Sequence, residues 1–282
     1  MNPLRISAAL ALSLAALVSS SAAEPKPLRL LLITGGCCHD YATQKEILKK
    51  GLEARLGATV DQVHTDDKST RPPLAILGNP DYAKGYDLVI HDECGSDLSD
   101  RATVEAVLAP HRAGIPGVNL HCAMHSYRIG NPNEPAKPGT DHALWFEYLG
   151  LQSSGHGPQQ PISITFTNKE NPVVRGLTNW TTVNEELYNN IQVLEGTTPL
   201  AWGRQTFRGR NDRQRTNEFV VVWSNLYGPE KTRVFSTSLG HNNATVEDPR
   251  YLELVARGVL WAVGRLEEAD RATAGAPRAS DR

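Results

Sequence analysis

Short apolar runs, each closed by polar residues and separated by stretches of helical periodicity, constrain this chain more than any other feature. The first, Leu28-Arg-Leu-Leu-Leu-Ile-Thr34, is apolar at nearly every position and ends in Gly35-Gly36. A run without alternation suits a strand covered on both faces, as in a parallel sheet. Residues 42–56 then place Ile47, Leu48, Leu52 and Leu56 on one helical face, and Gly57 marks the helix end. Further strands are predicted at 58–63, 86–90 and 117–120, with a helix at 99–113 between the last two. Strand and helix alternating through short connections imply crossovers and a parallel sheet, hence a doubly wound α/β domain.

The rest of the chain fits one such domain over residues 27–267. Residues 131–140 hold three prolines and one glycine, a loop expected to lie over the mouth of a site. The stretches 161–167 and 218–223 alternate as antiparallel or edge strands do, 233–241 reads as a last strand running into a Gly-His turn, and 249–266 as an amphipathic helix. At the other end, Arg5, the apolar run 8–18 and Ser21-Ala22-Ala23 have the order of a secretory signal peptide over residues 1–23. This predicts an exported protein, periplasmic or extracellular, that starts near Glu24 and is free of the membrane once cleaved. Residues 268–282, rich in Ala, Arg, Asp and Ser, are expected to be a disordered tail.

Composition matters here for what it removes. A net charge of −2, 21% charged residues and no repeat leave no basic surface for nucleic acid and no coiled coil or solenoid. Four cysteines, at 37, 38, 94 and 122, are too few for a disulfide-built scaffold. Adjacent Cys37 and Cys38 would be strained if joined, so any bridge is expected to link one of them to Cys94 or Cys122; buried free thiols are the other reading.

In an open α/β sheet, ligands bind beyond the carboxyl ends of the strands. There the sequence places His39 after the first strand, His91, Asp92 and Glu93 after the third, His121, Cys122 and His125 after the fourth, and His241 after the last. Most of the nine histidines therefore fall at one rim. Bland readings compete with functional ones. Asp40 suits a helix cap, His91 and Glu93 could cap a turn, and His64 and His111 read as surface residues.

Several motifs in order resemble the trehalose-utilisation ThuA-like domain family. They are Gly36-Cys-Cys-His39, Leu-His-Cys-Ala123, Asn171-Pro-Val-Val-Arg-Gly-Leu177, Glu185-Glu-Leu-Tyr188, Arg233-Val-Phe followed by Leu-Gly-His241, and Arg257-Gly-Val-Leu-Trp-Ala-Val-Gly264. The resemblance runs from about Leu28 to Leu266. It implies a flavodoxin-like, class I glutamine amidotransferase-like three-layer sandwich with a mainly parallel central sheet, and a role in carbohydrate metabolism. The positions matching family motifs are His39, His121, His156, Glu185, Glu186, Tyr188 and His241. Glu185 stands where the family has aspartate, and Glu230-Lys231-Thr232 replaces its glycine before Arg-Val-Phe.

Imidazoles and a carboxylate from separate strand ends suit a divalent cation, Zn²⁺ foremost, with Mn²⁺ or Ni²⁺ as alternatives. The expected ligands are His39, His121, Glu186 and His241, with His156, Glu185 and Tyr188 as catalytic groups acting on a sugar or keto-sugar by hydrolysis, isomerisation or elimination. No H-E-x-x-H pair is present, so distant segments must assemble such a site. Two other readings stay open. One is a thiol hydrolase or amidotransferase-like enzyme with Cys122 as nucleophile and His241 as base, though Leu120 and Met124 stand where a nucleophile elbow wants glycine. The other is a non-catalytic carbohydrate-binding protein with Trp145, Trp180, Trp202, Tyr188 and Tyr227 as sugar platforms. The expected partner is a small carbohydrate, with a homo-oligomer possible on this sequence.

Overall fold

A computed structural model describes residues 26–209, 212–267 and 270. The expected signal peptide, and the expected tail apart from Asp270, lie outside the described residues. Nine strands form a single sheet in the order β2-β1-β3-β4-β9-β8-β7-β5-β6. The first five members are β2 (Thr59–Thr65), β1 (Arg29–Gly36), β3 (Leu88–Cys94), β4 (Gly117–Leu120) and β9 (Thr232–Thr237). They pair parallel throughout, the flavodoxin-like order 2-1-3-4-5. The remaining strands, β8 (Gln214–Tyr227), β7 (Thr198–Arg208), β5 (Leu151–Phe166) and β6 (Trp180–Val193), extend that sheet antiparallel.

Each face of the sheet is covered, which is why the parallel strands lack polar alternation. Leu30 and Leu32 of β1, Leu88 and Ile90 of β3, and Val118 and Leu120 of β4 pack with α1 (Tyr41–Leu56) and α5 (Pro249–Ala262). The opposite side chains, Leu31, Ile33 and Val89, pack with α2 (Arg101–Arg112) and α3 (Leu144–Leu149). The result is the three-layer, class I glutamine amidotransferase-like sandwich that the resemblance implies. Helix starts follow their caps: Asp40 accepts from Thr43 N at 3.3 Å and Asp100 from Thr103 N at 2.9 Å.

Two turns explain local departures. Gly35 and Gly36 have φ of 129° and 100°, a region closed to other residues, and a Cβ on Gly36 would run into the Cys94 carbonyl. That turn lifts Cys37, Cys38 and His39 off the end of β1. Before β9, Lys231 itself adopts the left-handed conformation, φ 52°, a region that favours glycine. The loop at 131–140 does not close over a site as expected. Gln152 accepts from Ala136 N at 2.9 Å and donates to Glu134 O at 2.8 Å, and Ala136 is buried in the α2–α3 side of the core, so the loop is stitched down as part of that layer.

Candidate metal centre

Three strand ends and the edge hairpin meet at the carboxyl rim. His39 leaves the β1 turn, His121 follows β4 directly, and His241 lies four residues past β9, while Glu186 and Tyr188 sit on β6 and His156 and Gln159 on β5. One ligand atom each from His39, His121, Glu186 and His241 all lie within 4.8 Å of one another. His39 Nε2 is 2.9 Å from His241 Nδ1. The Glu186 carboxylate is 3.4 Å from His241 Nδ1 and 3.6 Å from His121 Nε2. A tetrahedral shell with bonds of ~2.1 Å separates its ligand atoms by ~3.4 Å, close to the two Glu186 spacings and longer than the His39–His241 one.

Neighbouring groups set which imidazole nitrogens face inward. Ser238 O can only accept, so at 2.7 Å it takes the Nδ1–H of His121 and leaves Nε2 with its lone pair toward Glu186. Tyr41 OH meets His39 Nδ1 at 3.1 Å, leaving Nε2 for the centre. The side-chain amide of Gln159 contacts His241 Nε2 at 2.8 Å and Glu186 Oε1 at 3.2 Å. Burial holds the His39 imidazole below its ordinary pKa, whereas donating a hydrogen bond to Glu186 raises that of His241. Burial opposes ionisation of Glu186, yet hydrogen bonds from His121 and His241 and the charge of His121 and His156 outweigh it and hold the carboxyl well below the usual range. His121 also has φ 36°, backbone strain of the kind stored at functional sites.

The expected catalytic groups separate into different roles. His156 is part-exposed, gives its Nδ1–H to Gly157 O at 2.8 Å and points Nε2 toward Glu186 at 3.5 Å. Tyr188 is buried with its hydroxyl 3.1 Å from His121 Nε2, stacked between His125 and His156 at centroid distances of 4.0 and 5.8 Å, and burial pushes its phenol up so that it stays protonated. Glu185 corrects its expected catalytic role. Its two oxygens accept from His241 N at 3.0 Å and Asn242 N at 3.1 Å, so the carboxylate is spent on holding that loop and is a positioning group. A cavity of about 830 Å³, lined by residues including Cys38, His39, Lys68, Asn184, His241 and Asn242, opens over the centre.

Several other expectations are revised. His91 and Glu93 do not reach the rim, because β3 continues to Cys94 and its alternation turns both side chains into the α2–α3 layer. His111, expected at the surface, is fully buried there, its Nε2 3.1 Å from His91 Nε2. His125 stands four residues after His121, but that segment is a 3-10 turn and His125 bonds Ser153 Oγ at 2.9 Å instead. Cys122 is not placed to attack a substrate, since it does not line the cavity. It is buried against Cys94 and His39, and its bond to Cys94, with burial, pushes the thiol up. The bridge is between the neighbours Cys37 and Cys38, with Cys94 and Cys122 free, because the left-handed Cys38, φ 83°, turns the two side chains together. The proposed sugar platforms Trp145, Trp180, Tyr188 and Tyr227 are buried, and Trp202 packs against the core. Gln159 and Tyr41 escaped the sequence reading altogether, since neither sits in a motif.

The fold and rim define a flavodoxin-like α/β protein whose strand ends carry a histidine and carboxylate cluster. The chain belongs to the ThuA family, described as trehalose utilisation, which it matches over residues 29–262. Among solved structures it is similar to a ThuA-like protein from Parabacteroides merdae, with TM-score 0.60, 22% identity and coverage of 84% of this chain and 90% of that one. It is also similar to a ThuA-like protein from Bacteroides uniformis, with TM-score 0.55, 18% identity and coverage of 86% and 94%. No curated protein matches the chain.

Proposed function

We propose that the protein is an exported, metal-dependent enzyme of carbohydrate metabolism that acts on a sugar or keto-sugar as a hydrolase, isomerase or lyase. The observation that carries this reading is the convergence of His39, His121, Glu186 and His241 on a common point beneath a polar cavity of sugar-accommodating size. These four would hold Zn²⁺, or Mn²⁺ or Ni²⁺ in its place, and the donor set of imidazoles and one carboxylate suits all three. A cation held there supplies positive charge that polarises a sugar carbonyl or hydroxyl.

The chain's own residues supply the remainder. Glu185 fixes the 241–242 backbone, and Gln159 orients Glu186 and His241. His156 is the proton acceptor, since its Nδ1–H is committed to Gly157 O and the Nε2 of this exposed ring lies beside Glu186 at the centre. Tyr188, held protonated by burial, offers a hydroxyl beside His121. Export rests on the leader at residues 1–23. Assay of metal-loaded and chelator-stripped protein against keto-sugars tests the reading. Turnover by the loaded form alone is the expected result; binding of sugar without turnover in either form would make this a carbohydrate-binding protein.

A further inference from the structure

Four cysteines from three strand ends touch one another in sequence. Cys37 and Cys38 leave β1, Cys94 ends β3 and Cys122 follows β4. The bonded pair is Cys37–Cys38. The free thiol of Cys94 lies 3.4 Å from Cys37 Sγ, and Cys122 Sγ lies 2.7 Å from Cys94 Sγ. An unbroken row of sulfur atoms therefore runs from exposed Cys38, on the wall of the cavity, to buried Cys122. Tyr41 packs with Cys94 and Cys122 and shields the inner thiols from solvent. A bridge that only stapled the turn would need no free thiols in contact with it. Two in series beside an accessible disulfide form the arrangement from which thiol–disulfide exchange proceeds.

We propose that Cys37, Cys38, Cys94 and Cys122 form a thiol–disulfide exchange site that accepts a low-molecular-weight thiol from the cavity side. In the internal step, Cys94 sulfur attacks Cys37 Sγ and forms a Cys37–Cys94 bond. The Cys37–Cys38 bond breaks, its electron pair leaves on Cys38 Sγ, and Cys38 takes up the proton that Cys94 loses. Cys122 then attacks Cys94 Sγ, giving a Cys94–Cys122 bridge and returning Cys37 to the thiol. No electrons are gained or lost in this migration. Net reduction requires the external thiol: one molecule attacks Cys38 Sγ and frees Cys37, and a second releases Cys38 with formation of the external disulfide, so that two electrons enter the protein. Because His39 follows Cys38 directly, the bond's position sets the backbone that carries it. The exchange itself stands independently of any metal.

The test omits reductant. Full-length oxidised protein is incubated with N-ethylmaleimide, quenched in acid and mapped by mass spectrometry without reduction. The site predicts label accumulating on Cys38, paired with a Cys37–Cys94 or Cys94–Cys122 bridge, and labelling of Cys38 at least ~10-fold slower in Cys94→Ser. Label confined to Cys94 and Cys122 over an intact Cys37–Cys38 bridge, or equal Cys38 labelling in Cys94→Ser, overturns it. Should Cys94→Ser fail to fold, Cys122→Ser serves instead. There the bond must stop at Cys37–Cys94, and recovery of the Cys37–Cys38 bridge alone is the contrary result.

Discussion

Two histidine clusters lie on the same sheet and end in opposite circumstances. At the rim, His39, His121 and His241 face Glu186 with nitrogens directed at a shared point and a cavity above them. In the α2–α3 layer, His91 and His111 face Glu93, and every nitrogen has a partner. His111 Nδ1–H goes to Ile115 O at 2.7 Å, the two Nε2 atoms meet at 3.1 Å, and His91 Nδ1 meets Glu93 Oε1 at 2.8 Å, where Tyr127 OH also donates at 2.6 Å. His111 Nε2 must accept because its Nδ1 donates, so His91 Nε2 donates and one further proton is shared between His91 and Glu93. The pairing leaves no imidazole lone pair for an ion, and the cluster is buried away from the cavity. Histidine content is similar in the two places; inward-facing lone pairs and access separate a site from a buried network.

The comparison is broken most severely by changing metal ligands. His241→Ala or Glu186→Ala is expected to abolish stoichiometric metal binding, read by elemental analysis of purified protein, while Glu93→Gln leaves metal content unchanged. Next, His156→Ala should lower turnover by ~10²–10⁴-fold with metal content intact; loss of the metal, or unchanged turnover, would show that His156 is not the base. In the sealed cluster, His91→Ala should destabilise the fold by ~3–5 kcal/mol in urea unfolding, because it removes the buried partner that Glu93 bonds at 2.8 Å and leaves a cavity in the core.

The most gradual effect is on pH dependence. Burial, with the charge of His91 beside it, lowers the His111 pKa to about 3 from 6.5. The unfolded chain therefore binds a proton that the folded chain refuses. This contribution to stability is intact above the unfolded pKa and is lost as pH falls from there toward about 3, by up to ~1.4 kcal/mol per pH unit. Urea titrations with chelator present should show this loss, and a shallower one in His111→Gln.

The parallel half of the fold was legible because burial on both faces writes itself as unbroken apolar runs, as in β1. Nothing comparable marks β6, whose Thr181, Val183 and Asn184 are exposed on an edge strand that needs no apolar face. Rim logic pointed to His39, His121 and His241 from the strand ends alone. Glu186 came only through a motif resemblance, since its strand was invisible, and Gln159 had no signal at all. His111 was misjudged because a histidine in the last turn of a helix usually meets water, and only its partners, Ile115 O as acceptor and His91 as donor, permit its burial. The same blindness placed Glu185 among catalytic groups, when its partners are amides that no sequence pattern announces.

The central claim, that four side chains from separated segments hold one cation, is tested most directly by an anomalous-scattering crystal structure of protein purified without chelator. The account predicts one strong peak within ~2.0–2.3 Å of His39, His121, Glu186 and His241 and none near His91 and His111. Well-ordered side chains at the rim with no anomalous peak, even after soaking with Zn²⁺, Mn²⁺ or Ni²⁺, would contradict it.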